Sequence, residues 1–127
     1  NNVFAFNREL GAVRMVRAVV QDIPCTLHFV NNIVFVDHGP LAGKGVRNVG
    51  GVWANNVWYD VRGIATAEFD GDKWAAWEKS GKERGSVFAD PKFRDPKAFD
   101  FTLAPDSPAL KLGFRPIDLT GIGPTRN

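Results

Sequence analysis

The stretch NNIVFV at residues 31–36 decides the expected fold, because close variants of it occur twice more in the chain. NNVFAF begins at residue 1 and NNVWYD begins at residue 55, so the phrases start 30 and then 24 residues apart. Each phrase is an asparagine pair followed by a β-branched residue and further apolar residues. A period of about 20–50 residues is typical of repeat proteins in which each repeat stacks on the next. The phrases therefore predict a solenoid.

Short strands before and after each asparagine pair indicate what kind of solenoid to expect. Phe29-Val30 and Val52-Trp53-Ala54 precede two of the pairs, and β-rich runs follow them. Asparagine suits tight bends because it tolerates left-handed backbone angles and bonds locally through its side chain. Stacked asparagines can also bond to one another along the axis, as in cross-β ladders. These features predict an all-β fold of the parallel β-helix type.

Composition excludes several classes of function. The 127 residues carry 16 basic and 14 acidic side chains, and a net charge of +2 gives no reason to predict nucleic-acid binding. A single cysteine, Cys25, excludes a disulfide framework within the chain and a multi-cysteine metal site. No apolar stretch approaches the length of a membrane-spanning helix. We predict no metal and no cofactor.

The second half of the chain departs from the repeat. DGDKWAAWEKSG at residues 70–81 predicts a short helix with Asp72 as N-cap and Gly81 at its C-terminal end. Trp74 and Trp77 would share one face of it. Asp-Pro turns and isolated apolar residues follow, which is typical of a terminal cap. We therefore divide the domain into β-helix coils at 1–66 and a C-terminal helix and capping segment at 67–127.

Three phrases near the C-terminus carry a specific resemblance. They are Asp90-Pro91-Lys92-Phe93, Asp100-Phe101-Thr102-Leu103, and Ser107-Pro108-Ala109 running to Pro116. Together with the asparagine phrases, this ending resembles the C-terminal portion of bacterial right-handed parallel β-helix proteins. The opening FAFNRE at residues 4–9 resembles a phrase in carbohydrate-active members of that family. The resemblance covers nearly the whole chain but only the last quarter or so of such proteins.

The resemblance implies both a fold and a function. The fold would be a right-handed parallel β-helix, present here as its last two or three coils plus a C-terminal cap with one short helix. The function would be polysaccharide degradation by a glycoside hydrolase or a lyase, in a secreted or periplasmic protein. A polysaccharide or oligosaccharide would be the substrate, and the 127-residue portion alone would be inactive.

Candidate catalytic residues follow the asparagine phrases. Glu9, Asp37 and Asp60 come eight, six and five residues after the start of their phrases. They could form an acidic strip on one face, and glycosidases need two carboxylates facing one cleft. His38, in a glycine-rich loop beside Asp37, is a further candidate because loops carry function. The alternative is that each aspartate simply ends a strand as a turn former.

Candidate substrate-binding residues are basic or aromatic. Arg8, Arg14 and Arg17 could bind a sulfate or carboxylate on a glycan, or could form a solvated strand face. Trp58 could stack on a sugar ring if it is exposed, although the opposite strand phase would bury it.

A non-catalytic role is the alternative function. The chain would then be a structural, glycan-binding or self-assembling β-helix segment. Its first strand begins in mid-phrase at Asn1, so we expect upstream coils or another chain to cover the N-terminal edge.

Overall fold

The computed structural model describes residues 1–6, 26–43, 46, 50–80 and 83–117. The described residues form short strands, two α-helices and a 3₁₀ helix at Pro96–Ala98. The strands are β1 (Val3–Ala5), β2 (Thr26–Val30), β3 (Ile33–Val36), β4 (Gly50–Ala54), β5 (Val57–Asp60), β6 (Val87–Phe88), β7 (Phe93–Asp95) and β8 (Asp100–Leu103). The helices are α1 (Trp74–Lys79) and α2 (Pro108–Lys111).

The largest sheet contains the strands that follow the three asparagine pairs. Its order is β1-β3-β5-β6, and all of its strand pairs are parallel. Val3 lies opposite Ile33, Ile33 opposite Val57, and Val57 opposite Val87. Equivalent positions of the repeated phrase are therefore neighbours in this sheet.

Both faces of this sheet are covered by apolar side chains. Val34 and Trp58 belong to one core cluster, together with residues of β2, β4 and α1. Ile33 and Val57 belong to a second cluster, which residues of the C-terminal segment complete. A parallel sheet buried on both faces is expected to have continuous rather than alternating apolar runs. The phrase IVFV at residues 33–36, buried throughout, fits that rule.

Two smaller sheets accompany the largest one. β2 and β4 pair in parallel from Thr26 opposite Gly50 to Val30 opposite Ala54. β7 and β8 pair antiparallel, with Phe93 opposite Leu103. The 3₁₀ helix joins β7 to β8, and Phe99 takes a left-handed conformation (φ 59°) at its end. Such a tight reversal permits only an antiparallel pair, because parallel strands need a long crossover.

The expected all-β right-handed parallel β-helix is contradicted. The described residues form several small sheets of short strands, one of them antiparallel, with two short helices. The repeated phrases predict stacked coils, but the strands that they form are short, and the residues after β6 follow other local rules. Asp-Pro turns and a 3₁₀ helix reverse the chain at β7 and β8. A second helix, α2, also forms where only turns were expected, with Ser107 Oγ accepting from the Ala109 N–H as its N-cap.

The helix expected at residues 70–81 is present but shorter. It spans Trp74–Lys79, and its N-cap is Lys73, which makes no side-chain capping bond. The prediction that Asp72 caps it was wrong, and Gly81 lies outside the described residues. Trp74 and Trp77 are both buried and pack on Phe69. This packing holds α1 against the same core cluster as Trp58. The division at residues 66 and 67 stays a prediction.

Candidate functional site

Buried asparagines form a ladder along the largest sheet. The Asn2 backbone N–H donates to Asn32 Oδ1 (2.9 Å), and the Asn32 N–H donates to Asn56 Oδ1 (2.9 Å). Asn56 Nδ2 also donates to the Phe29 carbonyl (2.9 Å). Asn56 is fully buried, so the two bonds that it makes satisfy polar groups that have no access to water. The ladder is a structural device that links neighbouring strands.

The first asparagine of each internal pair forms a bend in the backbone. Asn31 and Asn55 have φ values of 57° and 56°, in the left-handed region. Asparagine reaches this region more readily than most residues. The predicted left-handed bends are confirmed at these two positions. They turn the chain from β2 into β3 and from β4 into β5.

The ladder continues through a fourth phrase that sequence reasoning missed. The Asn56 N–H donates to Ser86 Oγ (2.9 Å), and Val87-Phe88 then pairs with Val57-Trp58. Ser86 stands 30 residues after Asn56, and Gly85 replaces the left-handed asparagine with φ 70°. The spacing of 30 residues was the signal that could have revealed this phrase. Serine preserves the hydrogen bond and glycine preserves the bend, although neither residue is an asparagine.

A buried carboxyl group, Glu83, closes this end of the ladder. Its Oε1 accepts from Trp77 Nε1 (3.1 Å), and its Oε2 lies 3.5 Å from Asn56 Nδ2. Burial raises the pKa of Glu83, and hydrogen bonds from Ser86, Trp77, Trp58 and Asn56 oppose that rise. The sequence offered no motif for Glu83, which depends entirely on neighbours from α1 and β5.

Asp60, a predicted catalytic residue, is fully buried and held by Arg62. Arg62 Nε donates to Asp60 Oδ1 (3.0 Å), and Nη2 donates to Oδ2 (2.7 Å). Arg62 Nη2 also donates to the Gly39 carbonyl (2.8 Å). The hydrogen bond with Asp60 is the main cause that raises the pKa of Arg62. In this arrangement Asp60 fastens the 37–39 loop to the end of β5.

The expected acidic strip is displaced by one residue. Val36, not Asp37, lies opposite Asp60. Because side chains alternate between the two faces of a strand, neighbouring positions do not share a face. Asp37 is half-buried and contributes electrostatically at Arg62, and His38 beside it is exposed. The structure thus brings Asp37 and Asp60 to one guanidinium and not to one open cleft.

Of the remaining predicted site residues, four lie outside the described residues and the fifth, Trp58, is buried. Glu9, Arg8, Arg14 and Arg17 lie outside the described residues, so the predictions for them stay predictions. Trp58 has no exposed surface, and the rings of Phe29 and Phe69 pack against it. The position of Trp58 does not fit stacking on a sugar. The sequence allowed either face of β5 for this side chain, and the structure places it on the face that packs into the core.

Tyr59 in β5 has a partly exposed aromatic ring. Tyr59 is half-buried and contacts Phe35 (centroids 5.9 Å apart) and Phe88 (5.8 Å). Desolvation is the main cause that raises the pKa of Tyr59, and the negative charges of Asp90 and Asp60 add to it. Tyr59 therefore stays a neutral phenol at neutral pH, beside the exposed carboxylate Asp90.

A cavity of about 380 Å³ lies near the C-terminal hairpin. It is lined mainly by apolar side chains of β8, α2 and residues 114–117, with Asp100 and Thr102 as its polar members. Asp100 Oδ1 already accepts from the Thr102 N–H (3.1 Å) and hydroxyl (2.6 Å). No cluster of three metal-ligating side chains occurs in the described part of the chain. Within the same ranges, no helix has both the length and the apolar character needed to cross a membrane.

Comparison with known proteins gives little further information. No protein-family model and no solved structure matches the chain. A segment of 39 residues is 46% identical to part of the uncharacterized protein YwoF of Bacillus subtilis (strain 168). That segment is 30% of this chain and spans only 8% of YwoF.

Proposed function

We propose that the chain is part of an extracellular, bacterial polysaccharide-degrading protein and that its described portion binds glycan without catalysing the reaction. The resemblance of the terminal phrases to carbohydrate-active proteins supports the class of substrate. The observation that carries the binding role is Tyr59, a partly accessible neutral phenol ring beside the exposed Asp90. Secretion or a periplasmic location belongs to the same proposal.

Tyr59 and Asp90 have the chemistry that a sugar requires. An aromatic face offers apolar area to the C–H surface of a pyranose ring, while the hydroxyl supplies a hydrogen-bonding tip. A carboxylate beside it accepts hydrogen bonds from sugar hydroxyls. Asp90 Oδ1 accepts from the Lys92 N–H (2.8 Å) in a local turn, which fixes the direction of the carboxylate. Few polar groups around an aromatic surface are typical of ligand sites.

The placement of the candidate acids supports a binding role over a catalytic one. A general acid must reach the glycosidic oxygen, and the two carboxylates of a glycosidase face one cleft. Asp60 is instead enclosed and neutralised by Arg62. Under this proposal, hydrolysis or elimination depends on further residues of a longer protein, and Glu9, which lies outside the described residues, stays a catalytic candidate within this chain.

A glycan titration tests the binding role. Sulfated fucans, xylans and pectins would be titrated into the chain by calorimetry, with Tyr59→Ala and Tyr59→Phe as variants. We expect Tyr59→Ala to weaken binding by about 1 kcal/mol, or fivefold, through loss of ring stacking. Tyr59→Phe should keep most of the affinity. Phe99→Ala, which removes a ring that is 71% exposed on the hairpin, is the matched control. Absence of binding across the panel would contradict the proposal.

A second candidate function is structural. The β1 edge of the largest sheet has no strand beyond it among the described residues. We propose that further polypeptide covers this edge, supplied by a longer form of the protein or by another chain. Exposed sheet edges present unpaired backbone groups and attract a further strand. Comparison of hydrogen exchange at Val3 and Ala5 in the 127-residue chain and in any longer native form tests this role.

A further inference from the structure

The asparagine ladder has a direction. At every step, the backbone N–H of the earlier strand's polar residue donates to the side-chain oxygen of the later one. The steps are Asn2 to Asn32, Asn32 to Asn56, and Asn56 to Ser86, each 2.9 Å long. Each strand therefore offers its side-chain oxygen toward the strand that precedes it in the chain.

The backbone repeats the same pattern one residue later. The Ile33 N–H donates to the Asn2 carbonyl (2.8 Å), Val57 to Asn32 (2.8 Å), and Val87 to Asn56 (2.9 Å). Val3 occupies the position of Ile33 in the register, so its N–H points away from β3. The outer side of β1 thus presents the Val3 N–H as a donor. The Asn2 side chain donates through Nδ2 to Asn32 Oδ1 (3.2 Å), so its Oδ1 is the acceptor at the position that the inner asparagines use.

Two further observations mark this edge as incomplete. Asn2 is exposed, and its Oδ1 accepts no hydrogen bond from any residue in the described ranges, whereas Asn32 and Asn56 are buried and each accepts a backbone N–H at Oδ1. Phe4 is half-buried, while Val34 and Trp58 in the same row are completely buried. An added strand with an apolar residue opposite Phe4 would extend both the ladder and the core.

We infer that the β1 edge binds one parallel strand of another polypeptide chain, recognised by a backbone N–H that donates to Asn2 Oδ1. This inference rests on the structural role proposed above and adds its recognition chemistry. The residue before that N–H must take a left-handed conformation, as Asn31 and Asn55 do. Asn-Asn followed by a β-branched residue meets this demand. Proline at the second position does not, because it has no N–H.

A peptide with the sequence of residues 52–61, VWANNVWYDV, is the probe, with two lysines added at each end for solubility. Its partner peptide carries Asn56→Pro, which removes the donor in question and also restricts the backbone of Asn55. Both would be titrated into the isotope-labelled 127-residue chain and followed by NMR. We expect the parent peptide to shift the amide signals of Val3 and Ala5. The proline peptide should bind at least about fivefold more weakly, the loss expected for one hydrogen bond.

Variants of the chain test the same bond from the other side. Asn2→Ala should weaken the parent peptide about fivefold, whereas Asn2→Asp, which keeps an acceptor oxygen, should retain its affinity. Glu78→Ala, at an exposed position of α1, is the control that should change nothing. If both peptides bind equally well and Asn2→Ala does not weaken them, the inference about Asn2 is wrong. The proposal that further polypeptide covers the β1 edge would still stand. Absence of binding by the parent peptide to the folded chain would overturn both.

Discussion

The two ends of the four-stranded sheet use related residues in opposite surroundings. At β6, Ser86 accepts from Asn56 and hydrogen-bonds to the buried Glu83, so the ladder ends inside the protein. At β1, Asn2 is exposed and its side-chain oxygen accepts no hydrogen bond from the described residues. The Ser86 hydroxyl can accept one hydrogen bond and donate another, so it can end the series of hydrogen bonds. The amide oxygen of Asn2 can only accept, so a further donor is needed to satisfy it. The comparison teaches that the same ladder is closed at one end and extensible at the other.

The largest effect should follow from breaking the ladder at its centre. Asn56→Ala removes the acceptor of the Asn32 N–H and the donor to the Phe29 carbonyl, both buried. We expect a loss of about 2–4 kcal/mol in the free energy of unfolding, since two buried groups lose their partners. Urea denaturation measures it. A loss no greater than that of Asn2→Ala would show that burial does not distinguish the ladder's centre from its edge.

A smaller loss of unfolding free energy is expected at Gly85, which forms the bend before β6. Gly85 has φ 70°, and a Cβ added there would lie 2.5 Å from Asn55 Oδ1. Gly85→Ala should cost about 1–2 kcal/mol from backbone conformation, with steric conflict added. Asn55→Gly in the same chain should relieve the conflict. A double-mutant cycle by thermal unfolding measures that coupling, and strictly additive effects would argue against the contact.

The closed end should also make stability depend on pH. Burial raises the pKa of Glu83 in the folded state above its ordinary value of 4.5. The folded chain then holds this proton more tightly than the unfolded chain, so the stabilisation is complete below the ordinary value and is lost as pH rises through the folded pKa.

Glu83→Gln should flatten that part of the curve of unfolding free energy against pH. The exposed Glu78→Gln is the control, and both would be compared with the parent chain by denaturation across acid to neutral pH. Identical curves for the parent chain and Glu83→Gln would show that the Glu83 pKa is not raised.

The smallest effect on stability is expected at the open end. Asn2→Ala removes the side chain of an exposed residue, while the Asn2 N–H can still donate to Asn32 Oδ1. We expect a change within about 0.5 kcal/mol, as for most surface positions. Urea denaturation of this variant beside Asn56→Ala sharpens the contrast between the two ends. A loss as large as at Asn56 would mean that the β1 edge is already buried.

Sequence reasoning succeeded where a residue's role depends on its own chemistry. The left-handed bends at Asn31 and Asn55 follow from what an asparagine backbone tolerates. It failed where a role depends on distant neighbours. The acidic strip required Asp37 and Asp60 to share a face, but the register placed Val36 opposite Asp60. A shift of one residue changes the face of every side chain, and loop lengths alone do not specify it.

The sequence by itself determined which strands would be equivalent, because the repeated phrases carry the same bend and the same hydrogen-bonding residue at each start. Only the tertiary structure decided the rest. It decided that a fourth strand, β6, extends the sheet, that β7 and β8 form an antiparallel hairpin, and that α2 forms after them. It also decided that Trp58 faces the core and that Glu83 is buried beside Trp77. Side chains alternate between the two faces of a strand, and local energy does not favour one assignment of faces over the other. The elements packed on each face decide which side chains face the core.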